Sequence, residues 1–373
     1  MSSLPPPSLD HLRPMLVAAR VGRLREAMGD LDALVVTSAT NIRYLTGFTG
    51  SAGVLFVLPA ELVLLTDGRY ATQAPEQLAA AGVEATVEIA PAVDHPGRAR
   101  TITGGLAGRL GLEAAHVSWS RQIEMADRWF TGVGLVATTG VVEGLRRAKD
   151  AGELDRLAAA AAIADAALAQ VRPMLDERPR ERDVASALDA AMRAGGAAGP
   201  SFETIVASGP NGAKPHHRAG TRHIEPGEPV VVDFGAVVDG YCSDMTRTLW
   251  SGDLRDADLR RAVQVVHAAQ AAGVTAVAAG VAAADVDAAC RTRIGDAGWA
   301  DRFVHGTGHG VGLDIHEAPS VAATSTDTLA AGQVVTVEPG VYLPGVGGVR
   351  IEDTVVVTAA GCATITLSQK DLP

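Results

Sequence analysis

The sequence predicts two domains, an α/β domain over residues 1–144 and an α+β domain over residues 145–373. The chain of 373 residues is long for one domain and suits two. Helical and strand patterns alternate in the first part, whereas strands and helices form separate runs in the second part. Hydrophobic residues make up 47% of the chain and charged residues 20%, so each domain can bury a core.

The first domain begins with a helical pattern and continues with strand patterns. Residues 17–28 have apolar positions at helical spacing, which predicts a helix. Short apolar runs at residues 33–37, 53–58 and 62–66 predict buried strands. A loop is predicted at residues 46–51, between the first two of these strands. This alternation is typical of an α/β domain.

The second domain follows a charged segment, residues 143–150, which is predicted to be a linker. Its predicted helices cover residues 149–171, 181–193, 257–273 and 281–297. Its predicted strands cover residues 204–208, 229–236, 243–250, 334–337 and 349–358. Strands and helices in separate runs, with little βαβ regularity, favour an α+β arrangement.

Charge and cysteine content exclude several classes of protein. The formal net charge of −11 gives no general attraction for phosphate backbones or anionic lipid, so neither nucleic acid nor a membrane is an expected partner. The three cysteines, Cys242, Cys290 and Cys362, form no disulfide framework. Residues 1–20 lack the apolar core of a signal peptide, and no run of about 18 apolar residues occurs. A cytoplasmic location is therefore expected.

Four carboxylates lie in or beside apolar strand patterns, where charged side chains are normally avoided. They are Asp233, Asp244, Glu338 and Glu352. An unpaired buried charge costs several kcal/mol. Each carboxylate must therefore be protonated, paired with a base or bound to a metal ion.

The first two carboxylates belong to a predicted β-hairpin. Asp239 and Gly240 are a type I′ turn signal between two strand patterns. With these residues as the turn, Asp233 faces Thr246, and Asp244 lies two residues away on the same face. Diagonal neighbours of this kind are about 7 Å apart or less. Two carboxylates at that range raise each other's pKa unless a cation lies between them. Glu338 and Glu352 flank a second tight connection, which can bring them together in the same way.

Six of the ten histidines fall in two short stretches, and His309 lies in the more glycine-rich one, residues 305–316. Alternate glycines remove side-chain bulk around His309 and let the backbone approach closely. Four carboxylates and one neutral imidazole carry a charge of −4, which two divalent cations neutralise. Oxygen-rich ligation with one nitrogen suits Mn²⁺, Co²⁺, Fe²⁺ or Zn²⁺ and argues against a structural zinc site with thiolates.

Simpler explanations exist for each residue taken alone. A single carboxylate is more often part of a salt bridge or a turn, and Arg222, Arg247 and Arg350 are available as partners. A single histidine in a glycine-rich loop more often makes a structural hydrogen bond. The set of five residues inside apolar strands nevertheless favours a metal site. Competing motifs are absent, since the chain has no His-Glu-x-x-His pair, no Cys-x-x-Cys pair and no complete dinucleotide fingerprint.

The segments around these residues resemble a known family. In the family's order they are residues 208–212 with 215–217, 233–235, 243–248, 305–317, 338–340 and 350–353. They are similar to the pita-bread metallopeptidases, specifically aminopeptidase P and prolidase, and all five ligand positions are occupied. Residues 41–47 and 66–70 resemble the creatinase-type N-terminal domain of the long family members. The resemblance implies an α+β pita-bread catalytic domain preceded by a creatinase-type α/β domain. Methionine aminopeptidases lack that first domain and fit less well.

The resemblance also implies how the metal ions are held. Asp233 chelates one metal ion, and Asp244 and Glu352 each contact both. His309 and Glu338 complete the coordination of the other metal ion. Two divalent cations are therefore expected, most simply Mn²⁺, with Co²⁺, Zn²⁺ and Fe²⁺ as alternatives.

Catalytic roles follow from the same resemblance. Water activated by the cations attacks the amide carbon, and Glu338 takes its proton. The leaving proline nitrogen has no hydrogen and must be protonated. His216 and His316 are the candidates that stabilise the oxyanion and the leaving nitrogen, whereas His305 and Arg350 position the substrate or the metal ligands. His217 has no implied role, although alone it is as good a candidate as His216.

The resemblance implies that the long family members form dimers or tetramers, so a homodimer or higher homo-oligomer is expected. Arg69 and Tyr70 are candidates to reach the site of a neighbouring subunit. Otherwise they form a simple turn at the end of a strand.

The implied activity is removal of the residue before proline from the N-terminus of a peptide. A prolidase, which cleaves only Xaa-Pro dipeptides, shares all five ligands and is the alternative. Proline-containing peptides or dipeptides are the expected partners in both cases. Creatinase-like enzymes and non-enzymatic binding relatives keep the fold but lose ligand residues, whereas this chain keeps all five.

Overall fold

A computed structural model of the chain describes residues 2–3, 9–106 and 108–373. Its contacts divide the chain into two compact units. One unit is Met15–Arg146, and the other combines Met1–Pro14 with Arg147–Pro373. Within the described residues, none of the helices is both long and apolar enough to cross a lipid bilayer.

Strands and helices alternate in the smaller unit and form separate runs in the larger one. The β-strands, in chain order, are β1 (Ser2–Ser3), β2 (Ala33–Val36), β3 (Val54–Val57), β4 (Leu62–Thr66), β5 (Thr86–Ile89), β6 (Arg109–Glu113), β7 (Gly134–Thr138), β8 (Ile205–Ser208), β9 (Val230–Phe234), β10 (Val237–Val238), β11 (Tyr241–Cys242), β12 (Met245–Leu249), β13 (Gly308–Gly310), β14 (Glu317–Val321), β15 (Val334–Val337), β16 (Gly340–Leu343), β17 (Gly347–Arg350), β18 (Asp353–Thr358) and β19 (Gly361–Thr364). The α-helices are α1 (Arg20–Ala27), α2 (Ala39–Thr46), α3 (Gln73–Ala80), α4 (His95–Thr103), α5 (Trp119–Glu124), α6 (Val141–Arg146), α7 (Ala151–Val171), α8 (Glu181–Ala194), α9 (Ala257–Ala276) and α10 (Ala283–Asp296).

The unit Met15–Arg146 is built on one sheet with the strand order β5-β4-β3-β2-β6-β7. Strands β2, β6 and β7 run parallel, as do β4 and β5, whereas β3 is antiparallel to both its neighbours. The predicted strands at residues 33–37, 53–58 and 62–66 are confirmed as β2, β3 and β4. Every residue of these three strands is buried, which explains why their sequences are continuously apolar.

Two features of this unit differ from the sequence-based expectation. Helix α2 was not predicted; Ser38 caps its first turn by accepting a hydrogen bond from the amide of Asn41 (3.3 Å), and Gly47 ends it with φ 75°. The charged segment 143–150 is not an open linker along its whole length, because α6 extends to Arg146. The Arg146 guanidinium is buried and donates to Oδ1 of Asn41 (2.8 Å).

The larger unit has two aliphatic cores. Helices α7 and α8 pack on β8, β9 and β12, and helices α9 and α10 pack on strands that include β15 and β18. A three-stranded sheet has the order β12-β9-β8, and a six-stranded sheet has the order β1-β19-β18-β15-β13-β14. The predicted helices are confirmed, with α9 extending three residues further than expected, to Ala276.

One predicted strand of this unit is wrong. Residues 349–358 were predicted to form a single strand, but the structure has two strands, β17 and β18, with Ile351 and Glu352 between them. The chain leaves the hairpin β16-β17 at this point and enters the six-stranded sheet. The amide of Glu352 donates instead to the carbonyl oxygen of Thr246 (3.1 Å), which joins this break to β12. The interruption matters because it contains one of the predicted metal ligands.

Candidate metal centre

The first acidic hairpin has the register that the sequence predicts. Asp239 and Gly240 both have positive φ, 45° and 78°, as a type I′ turn requires. In the ladder between β9 and β12, Asp233 pairs with Thr246, so the predicted register is confirmed. Asp244 lies immediately before β12, on the same hairpin.

The second pair of carboxylates lies at a junction between two ladders. Strand β15 pairs with β18, and β16 pairs with β17, in one common register. Glu338 and Glu352 occupy the equivalent positions in the gap between these ladders. The amide of Glu338 donates to the carbonyl oxygen of Thr307 (2.7 Å) rather than across the gap. Glu338 and Glu352 therefore lie opposite each other, at the point where both chains pass from one ladder to the next.

His309 lies in β13, where the alternate glycines allow close packing. A Cβ atom on Gly308 would collide with the carbonyl oxygen of Thr336, and one on Gly310 would collide with the carbonyl oxygen of Ala318. The amide of His309 donates to Oγ1 of Thr336 (3.1 Å). The expectation that glycine is needed around His309 for backbone approach is thus met at both neighbouring positions.

The tautomer of His309 leaves a lone pair directed at two carboxylates. Nδ1 lies 3.0 Å from the carbonyl oxygen of Gly310, which can only accept, so Nδ1 carries the proton. Nε2 is then an acceptor, and it lies 3.5 Å from Oδ2 of Asp244 and 3.4 Å from Oε1 of Glu338. Three acceptor atoms facing one another need either a proton or a cation between them.

The residues predicted from the sequence come together around one cavity of ≈ 620 Å³. Side chains of all five predicted metal ligands and of all four further candidates line it: Asp233, Asp244, His309, Glu338, Glu352, His216, His305, His316 and Arg350. Ligand atoms of Asp244, His309 and Glu352 all lie within 4.8 Å of one another. The volume falls in the range of about 300–1,000 Å³ that is usual for small-ligand sites.

Two carboxylate oxygens at this site have no hydrogen-bond partner. Oδ1 of Asp233 and Oε1 of Glu352 are both buried and unpartnered in the described part of the chain. The other oxygen of Asp233 accepts from Arg350 Nη2 (2.6 Å), and the other oxygen of Glu352 accepts from Oγ1 of Thr246 (2.7 Å). Each carboxylate is thus held by one oxygen, and the second oxygen is free for a ligand. Orphaned buried acceptors are rare in proteins and call for such an explanation.

The electrostatics of the metal-free site are unfavourable. Burial, together with the charges of Glu352, Asp233 and Glu338, raises the pKa of Asp244 well above its ordinary value. Burial and the same kind of repulsion raise the pKa of Glu352 well above its usual range. Burial, opposed by Arg350, raises the pKa of Glu338 to about 8. The site therefore resists ionisation unless positive charge is supplied.

These features fit divalent metal ions. Burial lowers the pKa of His309 to about 4, so its imidazole is neutral, the form that binds metals. The two orphaned oxygens, the lone pair of His309 and the crowded carboxylates give an oxygen-rich donor set with one nitrogen. Hard or borderline divalent cations bind such sets.

The raised pKa values predict how the stability of the metal-free protein depends on pH. Asp244, Glu338 and Glu352 keep their protons in the folded chain at pH values where the unfolded chain has lost them. Their contribution to stability is fully present below about pH 4 and is lost as the pH rises through about 8. In calorimetry, the unfolding midpoint of chelator-treated protein should fall as the pH is raised from about 5 to about 8. With saturating Mn²⁺ the fall should disappear; an equally flat profile without metal would contradict the account.

The salt-bridge alternative holds for one carboxylate. Arg350 pairs with Asp233, as described above. Of the other two arginines considered from the sequence, Arg247 pairs with Asp353 and Arg222 with Glu228. Within the described residues, Asp244, Glu338 and Glu352 therefore have no arginine or lysine partner.

The histidines divide into two environments. The rings of His309 and His316 lie edge to face with their centroids 4.4 Å apart. His305 lies further along the cavity wall, where Nδ1 donates to the carbonyl oxygen of Gly306 (2.7 Å) and Nε2 contacts the hydroxyl of Tyr342 (2.8 Å). Burial lowers the pKa of His305 to about 4, so it is also neutral.

Sequence reasoning missed Tyr342. Its buried hydroxyl accepts from Arg350 Nη1 (2.9 Å) and donates to Nε2 of His305, which joins these two predicted residues. Tyr342 lies in β16, and nothing in an apolar strand pattern distinguishes a tyrosine with this function from one that only packs.

Sequence reasoning also missed the pair of Lys149 and Glu317. Lys149 Nζ lies 2.9 Å from Glu317 Oε2, and both side chains are buried (1% and 7% exposed). Glu317 directly follows His316, so this pair fixes the backbone next to a predicted catalytic residue. The sequence offered one sign that Glu317 is important, because it belongs to the segment 305–317 that resembles the metallopeptidase family.

Arg69 and Tyr70 belong to the smaller unit. Arg69 pairs with Asp67 (2.7 Å), and the hydroxyl of Tyr70 lies 2.7 Å from Oγ of Ser51. These contacts describe the turn that follows β4. Their role at a neighbouring subunit, and the oligomeric state, stay predictions.

Fold and site together define a hydrolase with a carboxylate-rich metal centre in an α+β domain. Residues 155–359 match Metallopeptidase family M24, and residues 20–148 match the Creatinase/Prolidase N-terminal domain. The chain belongs to metallopeptidase family M24. The predicted resemblance, the predicted fold class and the predicted enzyme class, a metallo-exopeptidase, are confirmed.

Proteins similar to this chain include both dipeptidases and aminopeptidases by name. The chain is 40% identical over 366 residues to an uncharacterized peptidase of Bacillus subtilis, YqhT, covering 95% of this chain and 99% of that protein. A solved Xaa-Pro dipeptidase from Bacillus anthracis has a TM-score of 0.89 at 37% identity, covering 95% of this chain and 99% of that one. A solved X-Pro aminopeptidase from Thermotoga maritima has a TM-score of 0.85 at 29% identity, covering 94% and 99%. The chain is thus similar to enzymes of both names.

Proposed function

We propose that the protein is a dinuclear metallo-aminopeptidase that removes the residue before proline from the N-terminus of a peptide. We favour an aminopeptidase over a dipeptidase because the arginine side chains that line the cavity already have carboxylate partners. Arg350 is buried and already bound to Asp233, Tyr342 and Pro215. Arg218 lies on the cavity wall with Glu203 at 3.2 Å.

A dipeptide ends in a free carboxylate next to the scissile bond, and a dipeptidase must bind that charge. Both guanidinium groups among the described lining residues already have a carboxylate partner, so a dipeptide carboxylate has to displace an existing partner to bind there. A longer peptide presents a neutral amide at that point and needs no such partner. The lining of the cavity therefore favours the longer substrate.

A prolidase-like activity is the second candidate. It is favoured by the similarity to the Xaa-Pro dipeptidase of Bacillus anthracis, at 37% identity over 95% of this chain. The ion pair of Arg218 and Glu203 is exposed, with side chains 84% and 66% accessible, so a substrate carboxylate can replace Glu203 at little cost. Direct comparison of substrates separates the two activities.

In the proposed mechanism, Asp233, Asp244, His309, Glu338 and Glu352 hold two divalent cations. When bound, the cations supply an acidified water and polarise the scissile carbonyl group. Arg350 keeps Asp233 oriented through one oxygen, and Thr246 does the same for Glu352. Their second oxygens are thereby directed into the site.

The remaining residues transfer the proton and stabilise the negative charge that develops on the carbonyl oxygen. Glu338 is placed to take the proton from the attacking water and to deliver it toward the proline nitrogen, which has no hydrogen of its own. His316, next to His309, and His216 donate hydrogen bonds to the carbonyl oxygen as it gains charge. His305, fixed by Tyr342 and Gly306, shapes the part of the cavity that receives the peptide.

Manganese is the proposed metal, because carboxylate-rich sites with one imidazole suit Mn²⁺, and Co²⁺, Zn²⁺ and Fe²⁺ are alternatives. A cytoplasmic location is proposed as well. The three cysteines are free thiols, and Cys242 and Cys290 are buried, as is usual in a reducing compartment.

Hydrolysis of Ala-Pro-Ala, Ala-Pro-Ala-amide and Ala-Pro tests the proposal. The protein is stripped with chelator and reconstituted with Mn²⁺, and the released alanine is measured. Cleavage of both tripeptides before proline, lost without metal, is expected. Cleavage of Ala-Pro alone would make the protein a prolidase. If none of the peptides is cut with Mn²⁺, Co²⁺, Fe²⁺ or Zn²⁺ at full occupancy, the proposal of a proline peptidase fails.

A further inference from the structure

A buried carboxylate outside the metal centre organises one wall of the cavity. Glu181 is the first residue of α8, and its side chain is 0% exposed. It belongs to neither the predicted ligands nor the predicted catalytic residues. Because a buried carboxylate is costly unless it is fully hydrogen-bonded, its partners indicate what it does.

Among the described residues, the hydrogen-bond partners of the Glu181 carboxylate all lie between residues 208 and 220. Oε1 accepts from the amide of Ser208 (2.9 Å), from its hydroxyl (2.8 Å) and from Nδ2 of Asn211 (3.0 Å). Oε2 accepts from Nε2 of His217 (2.9 Å) and from the amide of Gly220 (3.1 Å). One carboxylate therefore binds both the first and the last residue of the loop 208–220. Burial alone would raise its pKa, but these hydrogen bonds hold the pKa of Glu181 below its ordinary value.

The middle of this loop carries His216, which lines the cavity. The loop also packs on β17, where a Cβ atom on Gly348 would collide with the carbonyl oxygen of Gly212. The carbonyl oxygen of Pro215 accepts from Arg350 Nη1 (3.3 Å). The residue before His216 is therefore bonded to the arginine that holds Asp233, and the residue after it is bonded to Glu181.

We propose that Glu181 is a positioning residue: through its hydrogen bonds to His217 and to both ends of the loop, it fixes His216 over the metal centre. This inference rests on the proposed function, in which His216 acts on the reacting carbonyl group. It gives His217 a positioning role as well, since its imidazole links the carboxylate to the residue beside His216. Glu181 itself does not line the cavity and touches no substrate.

The substitution Glu181→Gln tests this role with little change in shape. Glutamine keeps one acceptor oxygen but presents an NH₂ group where a donor of the loop now binds. Misplacement of a reacting group by about 1 Å can cost up to about 100-fold in rate. We expect kcat for Ala-Pro-Ala to fall by about 10- to 100-fold, with KM and the number of bound Mn²⁺ ions unchanged.

A double-mutant cycle separates positioning from general damage. In a His216→Ala background, Glu181→Gln should lower kcat by less than about twofold, because the group that it positions is already gone. An equal decrease in kcat in both backgrounds would mean that Glu181 only supports the fold. If kcat did not fall in the wild-type background, Glu181 would have no positioning role. His217→Gln should repeat the non-additive pattern with a smaller loss, and it serves if Glu181→Gln folds poorly.

The matched control is Glu225→Gln. Glu225 pairs with Arg178 (2.6 Å) on the surface of the same unit, with its side chain 41% exposed. This variant should keep full activity. It makes the same change of carboxylate to amide without touching the loop.

Amide hydrogen exchange provides a readout that is independent of catalysis. Exchange of residues 208–220 in the metal-loaded protein should be at least about tenfold faster in Glu181→Gln than in the wild type or in Glu225→Gln. Unchanged exchange would overturn the inference even if activity fell. Absence of peptide cleavage by the wild-type protein would instead overturn the proposed function, and exchange would then decide whether Glu181 orders the loop.

Discussion

The substitution Asp244→Asn is expected to abolish peptide hydrolysis and, at the same time, to raise the unfolding midpoint of the metal-free protein. Asp244 is buried beside Glu352, Asp233 and Glu338, and burial and these charges raise its pKa well above the ordinary value. Asparagine removes the ionisable group from this crowded site. At pH 8 this should raise the stability of the metal-free protein, because asparagine carries no charge that has to be neutralised when the side chain is buried.

Loss of Asp244, a proposed metal ligand, should have the opposite effect on function. Asp244 is one of three residues whose ligand atoms lie within 4.8 Å of one another. Metal-ion catalysis supplies several kcal/mol, so activity should fall by about a thousandfold or more. The stabilisation by Mn²⁺, about 2.7 kcal/mol at 100 times Kd for the wild type, should disappear.

Calorimetry with and without Mn²⁺, together with the peptide assay, measures both effects of Asp244→Asn. The control is Asp296→Asn, at the exposed end of α10, which should retain activity and metal-dependent stability. A variant that kept the Mn²⁺-dependent shift of the midpoint would show that Asp244 is not a ligand. A metal-free variant less stable than the wild type would contradict the electrostatic account.

The substitution Arg350→Met should destabilise the metal-free protein more than any change at the surface. The guanidinium of Arg350 is buried and donates to Asp233 (2.6 Å), Tyr342 (2.9 Å) and Oγ1 of Thr246 (3.1 Å). Methionine fills much of the same volume but leaves Asp233 as an uncompensated charge. Removal of one partner of a buried pair costs about 3–5 kcal/mol, or on the order of 10 °C in the midpoint.

Metal ions should restore part of this loss, because cations bound to Asp233 replace the missing positive charge. The deficit of Arg350→Met should therefore be smaller with saturating Mn²⁺ than with chelator. Arg302→Met is the control; Arg302 pairs with Asp301 (3.3 Å) at the surface, and its midpoint should change by at most about 1–2 °C. A deficit that is the same with and without metal would argue against Asp233 as a ligand.

The register of the first acidic hairpin could be predicted because it depends on two adjacent residues. Asp239 and Gly240 adopt the positive φ of a type I′ turn, and this choice fixes every pair in the ladder, including Asp233 with Thr246. His309 could be recognised for a related reason. The neighbouring glycines are needed where a side chain would collide with backbone, and that need is visible in the sequence.

Other features depend on contacts between distant segments and leave no local pattern. The break at Ile351 and Glu352 lies inside an apolar run, and only the hydrogen bond from Glu352 to Thr246 reveals it. Glu181 looks like an ordinary acidic residue at the start of a helix, which is favourable there in any case. Its function in the loop follows only from partners 27 to 39 residues away.

Titration of the chelator-stripped protein with Mn²⁺ tests most directly whether the five residues hold two metal ions that hydrolysis requires. Bound metal is measured by mass spectrometry of the dialysed protein, and release of alanine from Ala-Pro-Ala is measured on the same samples. Activity should rise with occupancy and level off at two ions per chain. Full activity in the stripped protein, or maximal activity with no bound Mn²⁺, would contradict the assignment of a dinuclear metallopeptidase.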